Sequence, residues 1–444
     1  MEQVSPAHYT SPSGPLLFMW NEYMRLCLTL AALTIFSAQM PAQSTDRDLA
    51  RARRVLASTP LVDGHNDLAW AIRESQTAPR DVDAYDLRKR TAGHTDLERL
   101  RQGMVGAQFW SVYIPGEVGD SGFARVQMEQ IDIARRFIAK YPDRLQWALT
   151  AKDIRNTFKK KKIGSVLGLE GGHAIENSLG TLRAYYDLGA RYMTLTHNVT
   201  LDWADAAMDT AKHNGLTGFG KEVVREMNRM GMLVDLSHVS PATMSDALDV
   251  TEAPVIFSHS NARALVDVPR NIPDSILRRL PANGGVAMIT FVTSFASAAA
   301  GAHAQLEGRA GTEARRTHGA DTAAARAAID AWLVANPRPV VTISQIADHI
   351  EHVRKTAGID HVGIGGDFDG ISVTVKGLED VSTYPALFAE LARRGWSDAD
   401  MKKLAGENIL RVLAKGEEVA ARLQRTRTPS NRTITEMDGV RAVR

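Results

Sequence analysis

Eight short apolar runs recur along the 444-residue chain. They are 60–65 (PLVDGH), 104–113 (MVGAQFWSVY), 164–170 (GSVLGLE), 191–196 (RYMTLT), 232–237 (MLVDLS), 254–258 (PVIFS), 285–291 (GVAMITF) and 361–367 (HVGIGGD). Each is continuous rather than alternating, as strands covered on both faces are. Between them lie stretches of helical period, at 125–140, 178–188, 217–230, 241–250 and 343–357. Eight such β units with intervening helices predict an α/β chain closed into a (β/α)8 TIM-like barrel, with a doubly wound sheet as the alternative. Two segments exceed a minimal barrel. Residues 72–100 are polar and irregular. Residues 296–340 are rich in Ala and Arg, with little core-forming content before Trp332. This second segment is expected as a helical insertion near the barrel mouth.

Charge narrows the partners. With 53 Lys+Arg against 51 Asp+Glu the net charge is +2, which gives no reason to expect nucleic acid or an acidic membrane surface. Cys27 is the sole cysteine, so neither an internal disulfide nor a thiolate zinc site is available. It lies in Leu26–Ala38, LCLTLAALTIFSA, a mostly apolar run that follows Arg25. The run is too short to span a bilayer comfortably and suits the apolar region of a signal peptide. Residues 1–42 are therefore expected to be a signal peptide, with the true start at Met19 or Met24. The mature chain is expected to be exported, periplasmic or secreted, with no membrane span after cleavage. An amphipathic helix is expected over 46–58, the barrel over 43–423, and a flexible basic tail over 424–444.

The chemistry sits where the runs end. The first ends in Asp63-Gly64-His65-Asn66-Asp67, the third in Glu170-Gly171-Gly172-His173, and the fourth in Thr196-His197-Asn198. The fifth ends in Asp235-Leu236-Ser237-His238, the sixth in Phe257-Ser258-His259-Ser260, and the eighth in Gly366-Asp367-Phe368-Asp369. In a barrel these C-terminal ends share one mouth, where active sites are built. His65 and Asp67, two apart on a strand, project the same way. A lone histidine is more often a hydrogen-bonded core or rim residue, but convergence from six strands argues for a site. Imidazoles and carboxylates without thiolates suit Zn²⁺, Mn²⁺ or Fe²⁺. His65, Asp67, Glu170, His238 and His259 exceed one tetrahedral zinc site. They fit two ions that share a carboxylate, with a bridging water.

The motifs LVDGHNDLAW, GLEGGHAIEN, LTHN with WAD shortly after, LVDLSHVS, VIFSHSNAR, RNIPD and DHVGIGGDFDG resemble the renal (membrane) dipeptidase family, in the same order from Pro60 to Glu407. The resemblance implies a two-zinc barrel of the amidohydrolase type. It implies zinc-dependent hydrolysis of dipeptides, including those with a C-terminal D-residue, by a metal-bridging hydroxide. His65 and Asp67 would bind one Zn²⁺, Glu170 would bridge, and His238 and His259 would complete the second site. His197 would face the scissile carbonyl, Arg270 would hold the substrate carboxylate, and Asp367 would sit near the substrate amine and the bridging water. Glu170, His197 and Asp367 are thus the expected catalytic residues, and His197, Arg270 and Asp367 the expected substrate contacts. The partners implied are small dipeptides, with a non-covalent homodimer possible.

An N-acyl amino acid deacylase on the same metals is the alternative enzyme. A catalytically silent binding protein would have lost a ligand, and none is missing. The cysteines and lipid-anchor signal of animal members are not expected here, and Phe295 stands where those members carry a tyrosine. His173, Asp63 and Asp235 are expected to support metal ligands, and Gly171, Gly172, Gly365 and Gly366 to let backbone approach the crowded mouth. Trp110 and Tyr113 fit pocket wall and core equally. Ser258 lacks the sequence context of a nucleophile.

Overall fold

The computed structural model describes residues 46–117 and 122–440. The expected signal peptide lies outside them. The eight continuous apolar runs become parallel strands buried on both faces, and one further short strand joins them in the sheet. They are β1 (Leu61–Asn66), β2 (Val105–Ser111), β3 (Leu145–Trp147), β4 (Ile163–Glu170), β5 (Ala190–Thr194), β6 (Leu233–Asp235), β7 (Ile256–Phe257), β8 (Val286–Ile289) and β9 (Val362–Ile364). The sheet runs β2-β1-β9-β8-β7-β6-β5-β4-β3, and a further β2–β4 pairing closes it. All pairs are parallel. Eight of these strands form the barrel that the eight runs predict, ringed by helices.

The ninth is a correction. β3 pairs with Ile163–Ser165 on β4, while β5 takes up Leu167–Glu170 further along the same strand. β3 is three residues long and only Leu145 in it is buried, so it carries no apolar run to read.

Helix starts follow ordinary cap chemistry. Thr150, Thr217 and Ser240 each accept a backbone N–H of the first turn, and Pro241 opens the helix after Ser240. The helix that runs to Ser58 buries Ala52, Val55 and Leu56 against the outer core. Inside the barrel, Val62, Phe109, Val166, Tyr192, Leu233, Ile256, Val286 and Met288 form one apolar cluster, joined by Ile409 and Leu413 of the helix Asn408–Leu423. Tyr192 fits only because its neighbour on β4 is Gly168, where a Cβ would lie 2.0 Å from the phenol ring. Trp110 packs edge-on against Phe137 in the outer core, which settles its role as packing.

Two peripheral segments matter. The insertion folds into two helices, Ala298–His318 and Thr322–Ala335, packed on each other. The tail departs from expectation: Ile434–Asp438 is helical, opened by a Thr433/Glu436 capping box, with Ile434 buried. Asp438 accepts hydrogen bonds from Thr217 Oγ1 (2.6 Å) and Phe219 N (3.0 Å), at the start of helix Gly218–Met230. The Arg-rich composition hid one apolar anchor and one carboxylate aimed at a helix N-terminus. Among the described residues, no helix is long and apolar enough to cross a membrane.

Candidate metal centre and active site

The strand ends converge as predicted. His65 and Asp67 come from the end of β1, Glu170 from β4, His238 and His259 from the turns after β6 and β7, and Asp367 from the loop after β9. His238 and Asp367 hold left-handed backbone, at φ 67° and 64°, as does Asp369 at 67°. Each such residue costs of order 1–3 kcal/mol and persists because its surroundings fix it. Gly365 must be glycine, since a Cβ there would lie 1.8 Å from Ser258 O.

Glu170 is the centre. Its Oε2 lies 3.3 Å from His65 Nε2, and its Oε1 lies 3.1 Å from His238 Nε2 and 3.5 Å from His259 Nε2. Asp67 Oδ2 is 3.3 Å from His65 Nε2. The carboxylate thus faces imidazoles with both oxygens, Oε2 toward His65 and Oε1 toward His238 and His259, and ligand atoms of His65, Glu170 and His259 also lie within 4.8 Å of one another. Ser111 Oγ donates to Oε2 at 3.0 Å.

Hydrogen bonds behind the imidazoles decide which ring nitrogens are bare. Ser258 Oγ donates to Asp235 Oδ2 (2.6 Å), so it accepts from His259 Nδ1 (2.8 Å). Tyr192 OH donates to Gly64 O (3.3 Å) and accepts from His65 Nδ1 (2.9 Å). Asn198 Oδ1 accepts from His238 Nδ1 at 3.0 Å. With Nδ1 protonated in all three, each Nε2 presents a lone pair to the centre. His238 Nε2 and His259 Nε2 then stand 2.8 Å apart, lone pair against lone pair. His65 Nε2 and Asp67 Oδ1 are buried without any hydrogen-bond partner. With these tautomers the inner nitrogens and carboxylate oxygens form a donor set that fits a divalent metal.

Titration leans the same way. Burial pushes the His238 and His259 imidazoles well below their usual range. Burial opposes charging His65 too, but Tyr192, Glu170 and Asp67 outweigh it and leave His65 well above the usual value. Burial would raise Glu170, but His65, His238 and His197 hold it well below the usual carboxylate range. The cluster attracts positive charge.

Around this centre lies a cavity of about 790 Å³. His197 lines it, its Nε2 3.9 Å from Glu170 Oε1 and its ring against Tyr113 and His238. Tyr113 is thus cavity wall, with Trp70 behind it. Arg270 is 2% exposed, donates to Ser260 Oγ and His259 O, each at 3.3 Å, and stacks on Phe295. Burial lowers its guanidinium to about 10. Burial also pushes Asp367 well above the usual range, reinforced by Asp67 and Glu170 and opposed by His65 and Arg270.

The supporting residues sort differently from expectation in one case. Asp235 acts through Ser258 on His259, and Asp63 ties Gln108, Gly366 and Tyr384 beneath β1. His173 instead bonds Ile114 O at 3.0 Å and touches no candidate ligand by hydrogen bond. Tyr192, Asn198 and Ser258, which fix the imidazoles, were missed as such. They look like ordinary strand and turn residues until the barrel register places them.

The sequence profile of membrane dipeptidase (peptidase family M19) matches residues 49–427. The chain belongs to this family. It is 41% identical over 392 residues to dipeptidase verJ of Clonostachys rogersoniana, covering 86% of this chain and 90% of that one. With these relatives and the site above, the chain is a metallo-dipeptidase. Two solved structures share the fold. The probable dipeptidase PvdM from Pseudomonas aeruginosa superposes with a TM-score of 0.72 at 22% identity, covering 84% of this chain and 100% of that one. A metallo peptidase from Rhodobacter sphaeroides, liganded with a phosphinate mimic of the dipeptide L-Ala-D-Ala, gives 0.66 at 23%, covering 81% and 99%. The matched range runs from the first helix through the barrel and includes the positions of the two insertion helices.

Proposed function

We propose that this dipeptidase works with two Zn²⁺ ions and cleaves dipeptides that include those with a C-terminal D-residue. The observation that carries the reading is Glu170, with one oxygen toward His65 and the other toward His238 and His259. His65 and Asp67 would hold one ion, His238 and His259 the other, and Glu170 both. When bound, such ions polarise a carbonyl and lower the pKa of water toward neutrality. The chain's residues do the rest. Arg270 offers a buried guanidinium fork that matches the substrate's terminal carboxylate. His197, kept largely neutral by burial, donates an N–H toward the oxygen of the scissile carbonyl. Such a preorganised donor is worth about 2.7–4 kcal/mol at the transition state. Asp367, which lines the cavity beside the candidate ligands, accepts the proton released by the attacking water and returns it to the departing amine. A site that grips both ends of its substrate measures length, so it selects dipeptides.

The phosphinate mimic of L-Ala-D-Ala bound by the Rhodobacter sphaeroides relative supports the stereochemical part. The test is hydrolysis of L-Ala-D-Ala, L-Ala-L-Ala and N-acetyl-L-Ala-D-Ala by the purified chain, with metal stripped and with Zn²⁺ restored. Zinc-restored cleavage of the free dipeptides but not the acetylated one supports the reading. Preferred cleavage of the acetylated substrate would move the chain to the deacylases.

A further inference from the structure

The polar segment 72–100, which exceeds a minimal barrel, meets the active site through residues 91–95. This stretch is tied down from outside. The buried Arg99 donates to Thr91 Oγ1 at 2.7 Å, Thr91 Oγ1 donates to Thr95 O at 2.8 Å, and Val381 N donates to His94 O at 3.3 Å. On its inner side it grips both segments that carry the carboxylates of the site. Asn66, between the candidate ligands His65 and Asp67, donates from Nδ2 to Thr95 Oγ1 at 2.9 Å. His94 N donates to Asp369 Oδ1 at 2.6 Å, and Asp369 N donates to His94 Nδ1 at 3.0 Å. The approach is so close that a Cβ on Gly93 would lie 2.3 Å from Asp369 Oδ1.

Asp369 is the third residue of a turn that starts at Asp367 and is closed by Gly370 N donating to Asp367 O at 3.2 Å. Both aspartates hold left-handed backbone, which persists only where the surroundings over-determine it. The end of β1 fixes the first half of the turn: Asp367 N donates to His65 O at 3.1 Å, and Asp67 N donates to Phe368 O at 2.9 Å. His94 fixes the second half, and its ring packs on Phe368 with centroids 5.7 Å apart. Among the described residues, no hydrogen bond holds the Asp367 carboxylate, so the backbone alone places it. The turn passes directly over the acids. A Cβ on Gly370 would lie 2.3 Å from Asp67 Oδ2 and 2.5 Å from Asp367 Oδ1, so a shift of the turn moves one carboxylate against the other.

We propose that His94 is a positioning residue for Asp367: its Nδ1 holds Asp369 in left-handed backbone, and the turn so fixed sets the Asp367 carboxylate beside the candidate ligands. This rests on the reading of Asp367 as the proton relay. His94 is not among the residues that line the cavity, so it acts through Asp369. Its backbone N–H donates whatever the side chain is, so substitution isolates the bond at Nδ1.

The test uses zinc-loaded protein and whichever of L-Ala-D-Ala and L-Ala-L-Ala the wild type cleaves faster. His94→Phe keeps a ring against Phe368 and loses the acceptor. His94→Asn keeps an acceptor close to the place of Nδ1 and loses the ring. His94→Phe should lower kcat at least tenfold, toward the ~10²-fold that an ångström of misplacement costs. Its KM should stay within about twofold, because Arg270 is untouched. Its bound zinc and melting temperature should match wild type. His94→Asn should keep kcat within about threefold of wild type, the rescue that a pure packing role would not give. Added to Asp367→Asn, His94→Phe should cost less than about twofold more, since the group through which it acts is already gone.

A His94→Phe variant with wild-type kcat would overturn the proposal. So would equal slowing of His94→Asn, or a full tenfold loss added to Asp367→Asn. Should His94→Phe melt lower or lose zinc, His94→Leu takes its place. Should both do so, His94→Asn decides, and a tenfold loss of its kcat overturns the proposal. A wild type that cleaves neither dipeptide would instead sink the dipeptidase reading beneath it.

Discussion

Tyr192→Phe isolates one ring orientation without disturbing the barrel. The change removes a single oxygen and keeps the ring that Gly168 accommodates. That oxygen accepts from His65 Nδ1 at 2.9 Å and makes a longer contact to Gly64 O at 3.3 Å. Losing the first bond costs about 1 kcal/mol of stability, and the second less. The larger effect falls on His65. Without an acceptor behind Nδ1, the ring can carry its proton on Nε2, the nitrogen that faces Asp67 and Glu170. Loss of such a partner typically weakens metal binding 10–100-fold, or about 1.4–2.8 kcal/mol. Because His238 and His259 are held by Asn198 and Ser258 instead, only one of the two proposed zinc equivalents should suffer. The assay is Zn²⁺ titration of the stripped protein against a chromophoric chelator. The expected result is one equivalent weakened at least tenfold and the other within twofold. Ser258→Ala should give the mirror result, since Asp235 keeps Thr194 Oγ1 and the Ser237 and Ser258 backbone N–H groups. Two unchanged equivalents in Tyr192→Phe would refute the tautomer argument, and equal weakening of both would refute the separation of the two ligand groups.

Arg270→Lys keeps the charge but loses the fork. KM for dipeptides should rise about tenfold with a smaller change in kcat, as for lost carboxylate binding; a kcat loss with KM unchanged would remove Arg270 from substrate binding. His349 is buried, takes Ala262 N–H on Nδ1 and meets Ala296 O through Nε2, and burial lowers it to about 4. Its folded-state value lies below its unfolded one, so its contribution is intact above pH 6.5 and is lost as pH falls toward 4, by roughly 3 kcal/mol in all. Urea unfolding of His349→Gln should therefore show a shallower fall in stability between pH 7 and 5 than wild type, and parallel curves would contradict the assignment. Asp438→Ala should lower stability by about 1 kcal/mol, with kcat and KM unchanged, because it strips a carboxylate from the start of helix Gly218–Met230. A melting temperature equal to wild type would show that the tail does not brace that helix.

The barrel was legible because its strands are buried on both faces and so read as unbroken apolar runs. β3 was not, because three residues with one buried side chain leave no such run. The candidate ligands were legible because each follows directly on a strand, and barrel geometry alone brings strand ends together. Arg270 was different. It stands 13 residues beyond the end of β7 at Phe257, and only the family resemblance pointed to it. The residues that orient the imidazoles were invisible for a further reason. Tyr192 lies mid-strand on β5 and reaches His65 on β1 across the barrel interior, a contact of 127 residues' separation that no local pattern encodes. The tail misled because composition averages over residues, whereas docking there depends on Ile434 and Asp438 alone.

The polar floor of the cavity makes sense only as a site completed by cations. Asp67, Glu170, Asp367 and Asp369 are carboxylates that line it, and against them, among the described residues, Arg270 is the one buried guanidinium in its lining. Isolated buried charges of one sign are too costly to keep ionised, and such groups neutralise by taking up protons. The raised Asp367, Asp369 and His65 are that response. Yet the hydrogen bonds behind the histidines hold Nδ1 protonated and leave the inner nitrogens bare, which is the opposite of what proton uptake alone would favour. The two tendencies reconcile when divalent cations replace the protons: the carboxylates are neutralised, and the three Nε2 lone pairs gain acceptors of charge. The left-handed backbone at His238, Asp367 and Asp369 then has a source of compensation as well, since binding energy that favours only the folded chain adds directly to its stability.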